Sequence, residues 1–260
     1  MKIIVTGTRK YTYHPRELNC FLDEISAKYV SREGMGLSQL QQKYAADAVV
    51  VWHETGPHLY YAGAEFFFHP SMAKNRIMAN RKVNALDPMV KACSLQPGTQ
   101  VLDCTLGMGS DALVAAYFSQ TQVYALESSS IIAAVIRWGM YFYSTTSPWL
   151  KAALSRIEII TAEHCAYLQT LPSHSVDVVY FDPMFRSPLN HSQPLAPLRP
   201  LANARALTVA AVAEAQRVAR QRVVLKELRD SGEFERLGFT DVQGSFNNRI
   251  AYGIISTAKD

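Results

Sequence analysis

Apolar residues along this chain fall into short runs separated by amphipathic stretches, and that rhythm predicts its elements. Residues 3–7 read as a strand, 15–29 and 38–45 as helices, and 47–52, 58–63 and 65–68 as further strands, with a turn at Gly56-Pro57. Residues 1–84 are therefore expected to form a small α/β module. A basic helix over 71–83 leads to a new start signal, Asp87-Pro88, an N-cap acid before a proline that fits a first helical turn, opening a helix to about residue 95. Beyond it strands at 100–105, 122–127, 157–162, 176–182 and 222–227 alternate with helices at 110–120, 129–143, 164–170 and 201–219, with a proline-rich loop over 186–200. Alternation with nearly continuous apolar strands predicts a mostly parallel sheet covered on both faces. Strands at 241–246 and 250–257, joined by Asn247-Asn248, add an antiparallel hairpin at its edge.

Composition narrows the class. With 260 residues, 48% hydrophobic and 18% charged, the chain can bury one good-sized core with a small appendage, which excludes a disordered chain. A net charge of +4 is too modest for a general polyanion binder, but its distribution is uneven. Six arginines against the single acid Glu214 lie between Arg186 and Arg222, and Lys74, Arg76, Arg81 and Lys82 have no acid among them. Such local basic surfaces attract phosphates, although part of this charge serves to solvate and cap helices. Cys20, Cys93, Cys104 and Cys165 are scattered and form no metal-ligand spacing, so neither a disulfide framework nor a metal site is expected. No signal peptide and no membrane-length apolar run is visible, and the expected location is cytoplasmic.

Two segments carry the chemistry. In Val101-Leu-Asp-Cys-Thr-Leu-Gly-Met-Gly-Ser-Asp-Ala112 a strand runs into a glycine turn and a helix, where Gly107 and Gly109 permit a tight turn and close approach to a ligand. The spacing also fits a dinucleotide fingerprint. Asp103, four positions before Gly107, suits a pyrophosphate poorly and suits the amino group and sulfonium of S-adenosylmethionine well. Glu127 ends the next strand, where an acid can take both ribose hydroxyls. Glu163 follows the third strand, at an adenine-contact position or as a helix N-cap. Asp111 can reach the cofactor or cap its helix, and Ser110 and Ser128 are backbone-contact candidates.

The second segment is Asp182-Pro183-Met184-Phe185, at the end of the apolar run 176–181. Asp182 and the Pro183 carbonyl can accept hydrogen bonds from a planar amine while Phe185 stacks on the ring, which points to methyl transfer onto the exocyclic amine of a nucleobase. A turn aspartate and a core phenylalanine are the structural alternatives. Lys226 either faces this pocket or is an exposed strand-end lysine, and His69 and Phe66-Phe67-Phe68 read as structural. A small-molecule N- or O-methyltransferase and a non-catalytic RNA-binding or ribosome-assembly module are competing readings.

Together, Leu102–Ala112, Leu126-Glu-Ser128 with Ile132-Ala-Ala134, Val178–Phe185 and Arg222-Val-Val-Leu-Lys226 resemble the RsmJ-like family over about residues 85–228. The family comprises S-adenosylmethionine-dependent methyltransferases of guanine N2 in small-subunit ribosomal RNA. The resemblance implies a class I methyltransferase sheet, Rossmann-like, over 85–260. It also implies cofactor contacts at Ser110, Asp111, Glu127, Ser128, Glu163 and Asp182, and ribosomal RNA or the small ribosomal subunit as partner. Ser110 stands where the family's best-known members have arginine, and the stretch after Phe185 lacks their lysines, which marks a divergent member.

Overall fold

The computed structural model describes residues 1–8, 15–83, 86–183, 201, 205–245 and 248–257. Its contacts divide into two compact units. One draws on Met1–His69 and Ser129–Ser144; the other on Pro70–Ser128 and on described residues after Thr145 and Ala204.

The first unit contains β1 (Ile3–Gly7), α1 (Pro15–Glu24), β2 (Lys28–Tyr29), α2 (Leu37–Tyr44), β3 (Ala48–His53), β4 (Gly56–Tyr61) and β5 (Ala64–Phe66). These strands form a sheet of order β2-β1-β3-β4-β5, parallel across β2, β1 and β3 and antiparallel beyond. Alternation along β1 and β3 sends Ile4, Val49 and Val51 against Leu40 of α2. On the other face Trp52 packs against Phe21, Trp138 and Phe142. The first helix is shorter than its hydrophobic pattern predicts. Ser26 takes a left-handed conformation (φ 52°), and the chain turns back so that Lys28 and Tyr29 pair with β1. The expected turn at Gly56-Pro57 lies inside β4, one step beyond the actual reversal at residues 54–55.

The second unit begins with α3 (Ser71–Val83), α4 (Pro88–Ala92), β6 (Val101–Asp103), α5 (Ser110–Ser119) and β7 (Val123–Glu127). The chain then passes through α6 (Ser130–Phe142), which packs in the first unit. It continues with α7 (Pro148–Leu154), β8 (Ile157–Thr161), α8 (His164–Thr170), β9 (Val176–Phe181), α9 (Val209–Val218), β10 (Ala219–Leu228), α10 (Glu233–Leu237), β11 (Asp241–Gln243) and β12 (Ile250–Ser256). The seven strands run β11-β12-β10-β9-β6-β7-β8, parallel from β10 to β8, with β12 antiparallel to both of its neighbours. This is the class I methyltransferase order expected from the alternation of elements. Within the antiparallel edge hairpin, β12 lies beside β10 and β11 forms the edge. Asp87 caps α4 as expected, accepting from the backbone N–H groups of Met89 and Val90. Helices α7 and α10 were not anticipated, being only seven and five residues long.

Register positions the site. Asp103 lies beside Tyr180, and Tyr180 beside Val224, so these side chains share one face of the sheet. Two residues further along, Asp182 and Lys226 emerge on that same face. The opposite face presents Leu102, Cys104, Val179, Phe181, Val223 and Leu225, packed under Ala211, Val212 and Ala215 of α9. Among the described residues no helix is long and apolar enough to cross a membrane.

Candidate active site

Between β6 and β9 the connections leave the sheet in opposite directions, and open α/β sheets bind ligands at the carboxyl ends of strands at such a point. Asp103 ends β6 with only 1% of its surface exposed. Its Oδ1 accepts from the Thr105 N–H at 2.9 Å, while Oδ2 is buried and without a partner. The Thr105 hydroxyl accepts from the Asp182 N–H at 2.6 Å, tying the ends of β6 and β9 together. Gly107 and Gly109 both adopt positive φ (51° and 74°), conformations that strain any residue bearing a Cβ. Gly109 caps α5, so the first N–H groups of that helix face the strand ends. Ser110 Oγ is likewise buried without a partner.

A charged cluster stands beside this turn. Asp111 does not cap its helix; it receives hydrogen bonds from the Arg76 guanidinium, from the Tyr180 hydroxyl at 2.8 Å and from Lys226 Nζ at 3.2 Å. Arg76 also grips Asp87 through two nitrogens, at 2.8 and 3.0 Å. Lys226 Nζ reaches Asp182 Oδ2 at 2.6 Å. Burial disfavours the Asp111 carboxylate, but Lys226 and Arg76 overcome it and hold the group well below the usual range. Burial likewise works against the charge on Lys226, and Asp111 and Asp182 more than compensate, keeping it cationic. Asp182 is raised to about 7, by burial and by Asp111 against the pull of Lys226. Asp103 has no ion-pair partner among the described residues and is pushed up to about 8, first by burial and then by the neighbouring acids Asp111 and Asp182.

Three carboxyl groups (Asp87, Asp111 and Asp182) thus share two cations, Arg76 and Lys226, and Asp103 stands beside them outside these ion pairs. The excess of acids over cations and the two orphaned polar atoms fit a ligand that brings positive charge and hydrogen-bond donors, which would draw Asp103 back to its carboxylate form. A pyrophosphate would add negative charge to the same place. Among the described residues no cluster of metal-ligating side chains occurs.

The remaining expected residues are distributed around this centre. Glu127, at the end of β7, is buried, and its carboxylate receives the Ser128 hydroxyl at 3.5 Å. Its carbonyl accepts from the Ala162 N–H at 3.0 Å, which draws the end of β8 alongside. Glu163 caps α8, its side chain accepting from Ala166 N–H at 2.9 Å; burial opposes its charge, but these backbone N–H groups lower its pKa. Pro183 follows Asp182 half-buried. Phe185 and the loop 186–200 lie outside the described residues. Arg76, Thr105 and Tyr180 were not singled out by sequence. Tyr180 had a readable signal, standing two residues before Asp182 on a strand.

Asp103 gives a pH test. A carboxyl whose pKa is higher in the folded chain binds more protons folded than unfolded, so stability falls as pH rises between the two values. Asp103 and Asp182 act in this sense up to about pH 8 and pH 7 respectively. His53 and His164, whose pKa values burial lowers, act oppositely, but only below about pH 6.5, the unfolded value. Between about pH 6.5 and 8 the ligand-free chain should therefore lose stability as pH rises. Asp103→Asn should flatten that slope by up to about 1.4 kcal/mol per pH unit. Urea unfolding across this range measures it, and equal slopes for both proteins would refute the role given to Asp103.

The comparisons with known proteins agree with this chemistry. A family model described as "Putative SAM-dependent methyltransferase" matches residues 64–236. Protein YpiP of Bacillus subtilis (strain 168), named "Uncharacterized protein YpiP", is 36% identical over 261 residues, covering 98% of this chain and 100% of that one. Ribosomal RNA small subunit methyltransferase J of Acinetobacter baumannii (strain ATCC 17978) is 33% identical over 99 residues, spanning 37% of this chain and 35% of that protein. Its namesake from Psychromonas ingrahamii is 34% identical over 124 residues, spanning 46% and 45%. Among solved structures, the SAM-dependent methyltransferase NGO1261 from Neisseria gonorrhoeae shares the fold, with a TM-score of 0.66 at 18% identity over 98% of this chain and 96% of that one. Since the family model spans more than half of a chain with this strand order, the chain belongs to the SAM-dependent methyltransferases, is RsmJ-like, and uses S-adenosylmethionine as its cofactor.

Proposed function

We propose that this enzyme methylates an exocyclic base amine of RNA: relatives named as ribosomal RNA methyltransferases point to ribosomal RNA, and the resemblance to the RsmJ-like family implies guanine N2 as the target. The observation that carries the reading is Asp182, held at the sheet end by Thr105 and Lys226 beside the orphaned Asp103 carboxylate. In this reading Asp103, Gly107, Gly109, Ser110, Asp111, Glu127, Ser128 and Glu163 surround the cofactor. Asp103 offsets its positive charge, and Glu127 takes the ribose. The bound cofactor supplies an electrophilic methyl group.

An amine conjugated to a base ring is a weak nucleophile because its lone pair is delocalised. Asp182 and the Pro183 carbonyl accept the two amine hydrogens and so direct the nitrogen for in-line attack, and fixing two reactants in this way accounts for much of a catalyst's advantage. In this reading Lys226 holds one oxygen of Asp182 and the amine bonds the other. Phe185 stacks on the base. A base inside a duplex must be flipped out to reach the site, whereas looped RNA presents it directly. The division at residue 84 and a cytoplasmic location belong to the same reading.

Incubation with labelled cofactor and, separately, ribosomal subunits, naked ribosomal RNA and DNA tests it. Label at N2 of a guanine in RNA is the expected result. Label confined to DNA or to small amines would replace this reading.

A further inference from the structure

The basic helix α3 is only partly used by the active site. Arg76 points inward, between Ala73 and Ile77, and serves the carboxylate cluster. On the other side of the helix Lys74 is half-buried and Arg81 and Lys82 are exposed. Lys74 and Arg81 stand two turns apart along one line, about 10 Å. The Arg81 guanidinium lies over the ring of Trp149 on α7, 6.0 Å from its centroid, and Tyr117 meets that indole edge-on at 5.3 Å.

The surroundings share the charge. Helices α3, α4 and α7 contain no acid, and the only one in α5 is the buried Asp111. Lys91 and Lys151 are exposed on the same group of helices, which all pack around α5. The opposite face of the sheet differs: α8 has no charged residue, α9 pairs Glu214 with Arg217, and α10 carries Glu233 and Glu235 against Arg236. Positive charge on the second unit is therefore sorted to one face of the sheet, the face that also carries Asp103, Asp182 and Lys226.

We infer that the outer side of α3, with Lys74, Arg81, Lys82 and Trp149, is the track on which the RNA backbone runs to the active site. The inference rests on the reading of RNA as substrate and adds where RNA lies. Lysine and arginine neutralise phosphates, and an indole already under a guanidinium offers a surface on which an unpaired base stacks. Because Arg76 reaches Asp111 from the inner side of the same helix, a strand following α3 arrives at the sheet end that holds Asp182.

The test combines Lys74→Gln, Arg81→Gln and Lys82→Gln, with Arg220→Gln as control. Arg220 sits on β10 at the opposite end of the sheet, bonded to Gln100 and Asp177. Binding of naked small-subunit ribosomal RNA is measured over a salt series, together with methyl transfer, cofactor binding and thermal unfolding. The triple variant should bind RNA at least about tenfold more weakly, and its log–log salt slope should fall by about 2, near 0.7 per lost phosphate contact on single strands. Its unfolding and cofactor affinity should match the wild type, and the control should keep the wild-type slope. A triple variant with wild-type affinity and slope, while the wild type methylates this RNA, overturns the track and leaves the substrate reading intact. RNA bound with a slope that depends on the track but never methylated overturns the substrate reading alone.

Discussion

Asp182→Asn should slow methyl transfer by about two to three orders of magnitude while the cofactor still binds within a few-fold of wild type. The exchange keeps the shape of the side chain and leaves the backbone N–H of residue 182 bonded to the Thr105 hydroxyl. What it removes is a charged acceptor. An asparagine anchored to Lys226 through its oxygen presents its NH2 group to the incoming amine, donor against donor. Losing one preorganised hydrogen-bonding group at the reacting centre costs about 100- to 1,000-fold elsewhere in catalysis. Asp103, Glu127 and the glycine turn are untouched, so cofactor affinity has no reason to follow. Single-turnover transfer from labelled cofactor and calorimetric binding separate the two quantities. A variant that transfers at the wild-type rate would remove Asp182 from the chemistry. One that loses cofactor affinity in proportion to rate would make it a cofactor ligand instead.

How far the site could be read in advance depended on whether its parts were local. The glycine turn and the acids ending β6, β7 and β9 were legible, because strand, turn and helix follow one another within a dozen residues and the fold fixes what strand ends do. Strand order was legible for the same reason, as successive strand–helix units leave few arrangements. The ion network was not. Arg76 precedes Asp111 by 35 residues and Lys226 follows it by 115, so their meeting is a property of tertiary packing. Their sequence contexts were ambiguous: Arg76 read as one of four surface cations on α3, and Lys226 as a solvated strand end. Glu163 shows the opposite case, in which the local capping reading and the cofactor reading predict the same position. α1 illustrates how the pattern overreaches, since Lys28 and Tyr29 continue it yet gain more as backbone partners of β1 than as a further helical turn.

Lys226→Met should destabilise the second unit by about 3–5 kcal/mol, the range found when one partner of a buried ion pair is removed. The ammonium is shared by two carboxylates, 3.2 Å from Asp111 and 2.6 Å from Asp182, with only 17% of its side chain exposed. Methionine fills a comparable volume, so the loss measures charge and not a cavity. Arg76 still neutralises Asp111 in the variant, whereas Asp182 is left with buried negative neighbours and no cation. Its pKa, already raised to about 7 with the lysine present, must rise further. The penalty is therefore pH-dependent. At about pH 5 this carboxyl is protonated with or without the lysine; above about pH 7 the wild type ionises it while the variant must keep it protonated or bury an unpaired charge, so the loss grows by up to about 1.4 kcal/mol per pH unit towards pH 8. Adding Asp182→Asn to Lys226→Met should remove the pH-dependent part of the loss, because the group that ionises is gone. Urea unfolding of the wild type, the two single variants and the double variant at both pH values closes the cycle. If the loss in Lys226→Met were the same at both pH values, or untouched by the second substitution, Lys226 would be contributing packing alone and not the charge balance that keeps Asp182 an acceptor.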